Sequence, residues 1–222
     1  MTSRARAGTT VESGARLPAD VVIAAVAIAG VGGAAGLRWV LWRSHAPAGL
    51  DGVLFAMAVL GVAGAVRYVG LRLDVGTRPT TEGAQGAWGP IPAVALGLLG
   101  GAVLVAVPIV ARVPGAPPLL PAPRPDASLG VWVGVTLLVA ASEEVLFRGA
   151  LFDALLARHS TFVSVALTSL LFALVHVPFY GPAAIPIDVA AGVWLAGLRL
   201  TSGRLVAPGI AHALADLVTW WL

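Results

Sequence analysis

Seven apolar stretches, at 21–42, 50–66, 90–110, 128–147, 162–177, 183–200 and 205–222, alternate along the chain with polar or Pro- and Gly-rich joints. Several approach the roughly 20 residues an α-helix needs to cross a bilayer. The pattern therefore predicts an all-α, polytopic membrane bundle of about seven transmembrane helices. The fifth and seventh stretches are short, at 16 and 18 residues, which suits tilted or protein-enclosed helices. Residues 1–18 carry Arg, Thr, Gly and Ser without an apolar period and read as a disordered cytoplasmic tail. Between 112 and 127 the chain holds Pro114, Pro117, Pro118, Pro121, Pro123 and Pro125. Helix is forbidden there, so this loop divides the N-terminal spans (19–111) from the four C-terminal ones (128–222). A second linker, with Gly, Thr and Gln, covers 72–89. The first apolar stretch runs on into Trp39 and Trp42, an interfacial aromatic pair, and so reads as a retained helix and not a cleaved leader.

Polar residues interrupt the apolar pattern in the C-terminal part. Glu143, Glu144 and Arg148 fall in the fourth span, His176 in the fifth, Asp188 in the sixth, and His212 with Asp216 in the seventh. An ionisable group at membrane depth costs at least about 2.5 kcal/mol and so usually faces a protein interior. If the fourth helix turns back at His159-Ser160-Thr161, Glu143 and His176 each lie about 16 residues from that turn, near 24 Å at 1.5 Å per residue. Around Thr201-Ser202-Gly203, Asp188 and Asp216 lie about 14 residues away, near 21 Å. All these groups then share one layer, with the active site in the C-terminal four helices. Spacing within each helix adds roles. Glu144 and Arg148, four apart, suit a same-face ion pair. Glu143 points about 100° away from that pair, and a carboxylate without a partner suits a general base. Asp216, four after His212, is placed to accept from the imidazole and fix its tautomer. Phe172, one turn before His176, would wall that ring.

Composition agrees with the bilayer reading: 58% of residues are hydrophobic and 11% charged, with a mean hydropathy of +0.91. Cysteine is absent, which removes disulfides, thiolate metal sites and a Cys nucleophile. All basic residues are Arg, and they are scattered. No basic stripe with interleaved aromatics exists to track phosphates, so nucleic acid is not an expected partner. Arg4, Arg6, Arg16, Arg67, Arg72, Arg78, Arg158, Arg199 and Arg204 fall on one side of the seven-span topology, and Arg38, Arg43, Arg112 and Arg124 on the other. That bias puts the N-terminus in the cytoplasm, and the Arg-only, Ala/Gly/Val-rich composition points to a bacterial plasma membrane.

The run Glu143-Glu144-x-x-x-Arg148, then Phe172-x-x-x-His176, then His212-x-x-x-Asp216, resembles the CPBP family of CAAX proteases and bacteriocin-processing enzymes, also called the Abi family. The resemblance covers about 131–220. It implies an intramembrane endopeptidase that hydrolyses a peptide bond of a membrane-associated or lipidated protein or peptide. Glu143 resembles the base that activates water, with His176 assisting. Glu144 and Arg148 look like its supporting pair, and His212 like the group that stabilises the oxyanion. The residue four after it is often Asn in eukaryotic-like members. Here it is Asp216, which must be protonated, orient His212, or hold a metal. Members are commonly called metalloproteases, and His176, His212 and Glu143 would form a two-His, one-carboxylate zinc set with an open position for water. A Glu/His pair also activates water without metal, and both readings stay open.

Two other classes fit the same polar cluster. A non-catalytic scaffold or self-immunity protein would use it only for helix packing, and a proton-coupled carrier would use it as a relay. A carrier favours broken helices and related halves, and the chain shows no clear repeat. Some residues invite plainer readings: His45 and His159 as solvated loop side chains, Asp188 as a helix-terminal or His176-orienting group, and Trp220 with Trp221 as an interfacial belt. Gly30, Gly32, Gly33, Gly36, Gly97, Gly100 and Gly101 are read as close-packing positions.

Overall fold

A computed structural model describes residues 18–44, 47–73, 88–110 and 127–221. The expectations for the 1–18 tail, His45, the 72–89 linker and the Pro-rich loop fall wholly or mostly outside these residues. The described residues form an all-helical membrane bundle, and seven helices among them make up its frame: α1 (Ala19–Arg43), α2 (Leu50–Arg72), α3 (Pro90–Val110), α4 (Leu129–Leu156), α5 (Thr161–Tyr180), α6 (Ile185–Ser202) and α7 (Val206–Val218). Five of them, with α6 extended by the 3-10 turn Pro182–Ala184, are long and apolar enough to cross a bilayer. The apolar part of α3 and all of α7 are shorter.

Local sequence sets the joints. Ser128 caps α4 by accepting from the Val131 amide, and Ser160 caps α5 from the Val163 amide, the standard use of a hydroxyl on an orphan donor. Gly203, at φ 68°, ends α6 in the left-handed conformation that favours glycine. At the base of α3, the Trp88 amide donates to the Ser202 carbonyl at 3.0 Å and Arg204 Nε donates to the Trp88 carbonyl.

The helices before and after the Pro-rich loop pack as one bundle. α1 lies along α2, and α2 packs on α4, burying Ile23, Ala27, Val31, Phe55, Val59 and Val66 with Leu146 and Phe147. α3 lies along α7. A Cβ on Gly97 would stand 2.7 Å from the Ala207 carbonyl oxygen, and one on Gly101 3.2 Å from the Ala211 Cα. Gly30 and Gly100 are equally tight, against Val62 and Leu198. Gly32, Gly33 and Gly36 are not packing positions: nothing lies within 4 Å of where their Cβ would be.

α5 and α6 meet at Gly192, where an added Cβ would fall 2.8 Å from Ser169 Cβ and 2.9 Å from Ser169 Cα. Backbone cannot yield there as a flexible side chain would. Gly192→Ala should therefore lower the thermal unfolding midpoint in detergent, by an amount equivalent to about 1–3 kcal/mol. An unchanged midpoint would mean the two helices are not in van der Waals contact at this point.

Candidate active site

Glu143 and Glu144 end the regular α-helical part of α4, which then widens into a π-helical turn, Val145–Leu151. Such turns occur as insertions inside α-helices, frequently at functional sites. The apolar period gave no sign of it and predicted an uninterrupted helix. Arg148 sits within the turn, and it, Glu143 and Glu144 are only 1–2% exposed. Burial of that degree demands partners, and the structure supplies them. Arg148 Nη1 donates to Glu144 Oε1 at 2.9 Å, and Nη2 donates to the Gly192 carbonyl at 3.3 Å. The Phe172 ring lies 4.4 Å from the guanidinium carbon, a cation–π distance.

Glu144 does more than neutralise Arg148. Its Oε1 also lies 2.9 Å from His212 Nδ1. A carboxylate oxygen already accepting from a guanidinium is an acceptor, so the Nδ1–H donates to it. His212 Nε2 is then 3.6 Å from Glu143 Oε2 and 3.5 Å from Asp216 Oδ2. This corrects the expected pairing. Glu144, from another helix, fixes the His212 tautomer, and Asp216 faces the opposite ring nitrogen. Residues 68 apart in the chain make the bond, and no periodicity could have indicated it.

His176 Nδ1 stands 2.8 Å from the Phe172 carbonyl oxygen. A carbonyl only accepts, so Nδ1 carries the proton and the neutral ring keeps a lone pair on Nε2. The Phe172 ring lies between the two imidazoles, 4.7 Å from His176 and 5.5 Å from His212. Tyr180 stacks on the far face of the arrangement, 5.7 Å from His176.

Glu143, His176, Asp188, His212 and Asp216 line one cavity of about 320 Å³. Glu144 and Arg148 stand behind its wall. Asp188, in the first turn of α6, has a buried Oδ2 without a hydrogen-bond partner. It does not orient His176 through Nδ1, which the Phe172 carbonyl holds.

Other contributors were not recognised from sequence. Arg38 on α1 lines the cavity, 3.7 Å from Asp51 and about 5 Å from the ring centres of Phe55 and Phe179. The seven-span topology counts it with Arg43 on the outer side, whereas its side chain turns into the cavity. Val103 and Leu104 of α3 add apolar wall. Arg199, read as a cytoplasmic charge, is 3% exposed. Its Nε donates to the Arg148 carbonyl at 3.2 Å and its Nη2 lies 3.7 Å from Asp153 Oδ1, which braces the π-helical turn from below.

A zinc ion needs three protein ligands converging at about 2 Å with one position open. Among the described residues no group of three or more His, Asp or Glu side chains is arranged to hold a metal. In the set His176, His212 and Glu143, His212 Nε2 and Glu143 Oε2 are 3.6 Å apart, but the Phe172 ring packs against both imidazoles, 4.7 Å from His176 and 5.5 Å from His212, and the two rings do not converge with the carboxylate on one point. The residues as placed do not fit the ion.

The family model for type II CAAX prenyl endopeptidase, Rce1-like, matches residues 125–218, a range that holds α4 to α7 and every ionisable cavity residue except Arg38. No curated protein and no solved structure matches the chain.

Proposed function

We propose that this chain, which belongs through residues 125–218 to the Rce1-like family of type II CAAX prenyl endopeptidases, hydrolyses a peptide bond of a membrane-associated protein or peptide by a water that Glu143 activates. The observation that carries the reading is one cavity holding an almost fully buried carboxylate and two imidazoles with assigned tautomers. Glu143 Oε2 and His212 Nε2, at 3.6 Å, are just too far apart for a direct hydrogen bond, and such a gap suits a bridging water.

In this scheme Glu143 accepts a proton from the water as its oxygen attacks the peptide carbonyl. The lone pair of His176 Nε2 accepts from the same water and aims it. His212 holds one proton on Nδ1 toward Glu144, and a second on Nε2 donates to the oxyanion of the tetrahedral intermediate. Glu143 then returns its proton to the departing amine as the C–N bond breaks. The products are a carboxylic acid and an amine, and no net proton is consumed. Glu144 and Arg148 are positioning residues that hold His212. Asp216, whose side chain is 40% exposed, stabilises the imidazolium from the cavity side.

Purified protein incubated with a library of membrane-anchored peptides tests the scheme. Cleavage is expected from the wild type, unchanged by a chelator, and reduced about 10²-fold in His176→Ala, a typical loss for a positioned proton acceptor. Cleavage abolished by chelator and restored by zinc would replace the Glu/His scheme. A protein that cleaves nothing while its cellular phenotype survives loss of Glu143 would be a scaffold.

A further inference from the structure

Three side chains of the cavity wall, Arg38 on α1 and Val103 with Leu104 on α3, come from helices that precede the matched range 125–218. They reach the cavity by different neighbours: α1 packs on α2 and α5, and α3 on α6 and α7. The α3 side is apolar and continues into Trp194, whose indole Nε1 donates to the Gly100 carbonyl at 3.1 Å. The α1 side carries a permanent cation. Among the described residues of the lining, Arg38 is the one arginine.

An arginine on such a wall could serve to neutralise the carboxylates of the cavity, or to receive an anion that enters it. Geometry separates the two. Arg38 Nε stands 3.7 Å from Asp51 Oδ2, which is not part of the lining, and among the described residues it makes no ion pair with Glu143, Asp188 or Asp216. Glu143 and Asp216 face His212 instead. The Asp51 contact is itself longer than a hydrogen bond. What fixes the cation is aromatic: the ring centres of Phe55 and Phe179 lie 5.0 and 5.1 Å from the guanidinium carbon. Rings hold a guanidinium without consuming its N–H donors. The side chain is 24% exposed, so those donors are within reach of a ligand in the cavity.

We propose that Arg38 is a specificity-determining residue that pairs with a carboxylate of the substrate peptide, while an apolar part of the same peptide lies against Val103, Leu104 and Trp194 and the scissile bond sits at Glu143 between them. A planar fork held in place in advance matches a carboxylate in two parallel hydrogen bonds. The peptide's own C-terminus and an acidic side chain present the same two oxygens, and either satisfies the chemistry. The position of the scissile bond rests on the endopeptidase reading, whereas the affinity for a carboxylate does not. Arg38 touches no reacting atom and so acts on KM and not on kcat.

The full chain in lipid nanodiscs tests this with the membrane-anchored peptide library, each member made with a free C-terminal carboxylate, as the C-terminal amide, and with its Asp and Glu residues replaced by Asn and Gln. Binding is read in the Glu143→Gln background, so that turnover does not deplete the peptide, and hydrolysis with Glu143 intact. Carboxylate forms should bind at least about tenfold more tightly than their neutral counterparts. Arg38→Gln should bring the two within about twofold without weakening the neutral form, and Arg38→Lys, which keeps the charge but not the fork, should retain part of the preference. Whichever replacement removes the preference, amide or Asn/Gln, identifies the carboxylate that is recognised. A merely structural Arg38 predicts that charged and neutral peptides weaken together in both variants. That result, or equal binding of both forms or of neither while Arg38 is present, overturns the proposal. An Arg38-dependent preference in protein that hydrolyses nothing would leave the proposal standing and remove the endopeptidase reading, so the two failures are distinct.

Discussion

Glu143→Gln should abolish measurable hydrolysis while leaving the protein folded. The amide keeps the volume of the carboxylate but exchanges one acceptor oxygen for a donating NH2, and it cannot accept the proton of the attacking water or return it to the leaving amine. General acid–base groups contribute about 10²–10⁴-fold, and a group serving both proton transfers belongs at the upper end, so kcat should fall by about 10³-fold or more. Stability should hold or rise, because Glu143 is 2% exposed and its nearest cation-forming group is 3.6 Å away; replacing an incompletely paired buried charge is often neutral or favourable. Glu144→Gln provides the contrast. Its remaining carbonyl oxygen still accepts from His212 Nδ1, and the loss should be about tenfold, set by looser positioning of the ring. If Glu143→Gln kept more than a tenth of the wild-type rate, Glu143 would not be the base. If both glutamines were equally inactive, the assignment of separate roles to adjacent carboxylates would fail.

The difference between those two carboxylates was partly legible in the sequence, because an i, i+4 spacing identifies Arg148 as the partner of Glu144. What the spacing could not give is direction. Glu144 lies on the protein side of α4 and reaches His212 on α7, while Glu143 lines the cavity. Depth was equally legible: helix rise and turn positions put Glu143, His176, Asp188 and Asp216 in one layer, and these residues line one cavity. Depth says nothing of azimuth, so the contributions of Arg38, Val103 and Leu104 from helices outside the matched range were not visible. Those side chains belong to α1 and α3, whose positions depend on packing across the bundle. The small residues were legible only in part. Gly97 and Gly101 touch α7, yet Gly32, Gly33 and Gly36, with the same composition around them, touch nothing, because composition does not say which face of a helix meets a neighbour. The π-helical turn was invisible for a similar reason, since its seven residues, Gly149 among them, continue the apolar helical run without a break.

Arg148→Met should be the most destabilising single change in the site. It leaves Glu144 2% exposed with no permanent cation, and breaking a buried ion pair by removing one partner costs about 3–5 kcal/mol. It also takes away the donor to the Gly192 carbonyl, seen at 3.3 Å. Lysine should not rescue it. One ammonium on a flexible stem cannot reproduce a planar fork that reaches Glu144 with one nitrogen and α6 with the other while lying on Phe172. The double variant Arg148→Met with Glu144→Gln should recover about 2 kcal/mol or more of the loss, because it removes the buried charge along with its partner. Thermal or denaturant unfolding in detergent across the four-member cycle measures that coupling. Activity should not recover in parallel: without Arg148 the side-chain bond from the π-helical turn to Gly192 of α6 is gone, and Glu144 loses the partner that holds it in place to orient His212. Strict additivity in the cycle would show that Arg148 and Glu144 do not interact, whereas full recovery of both stability and rate would reduce the pair to packing with no part in aiming His212.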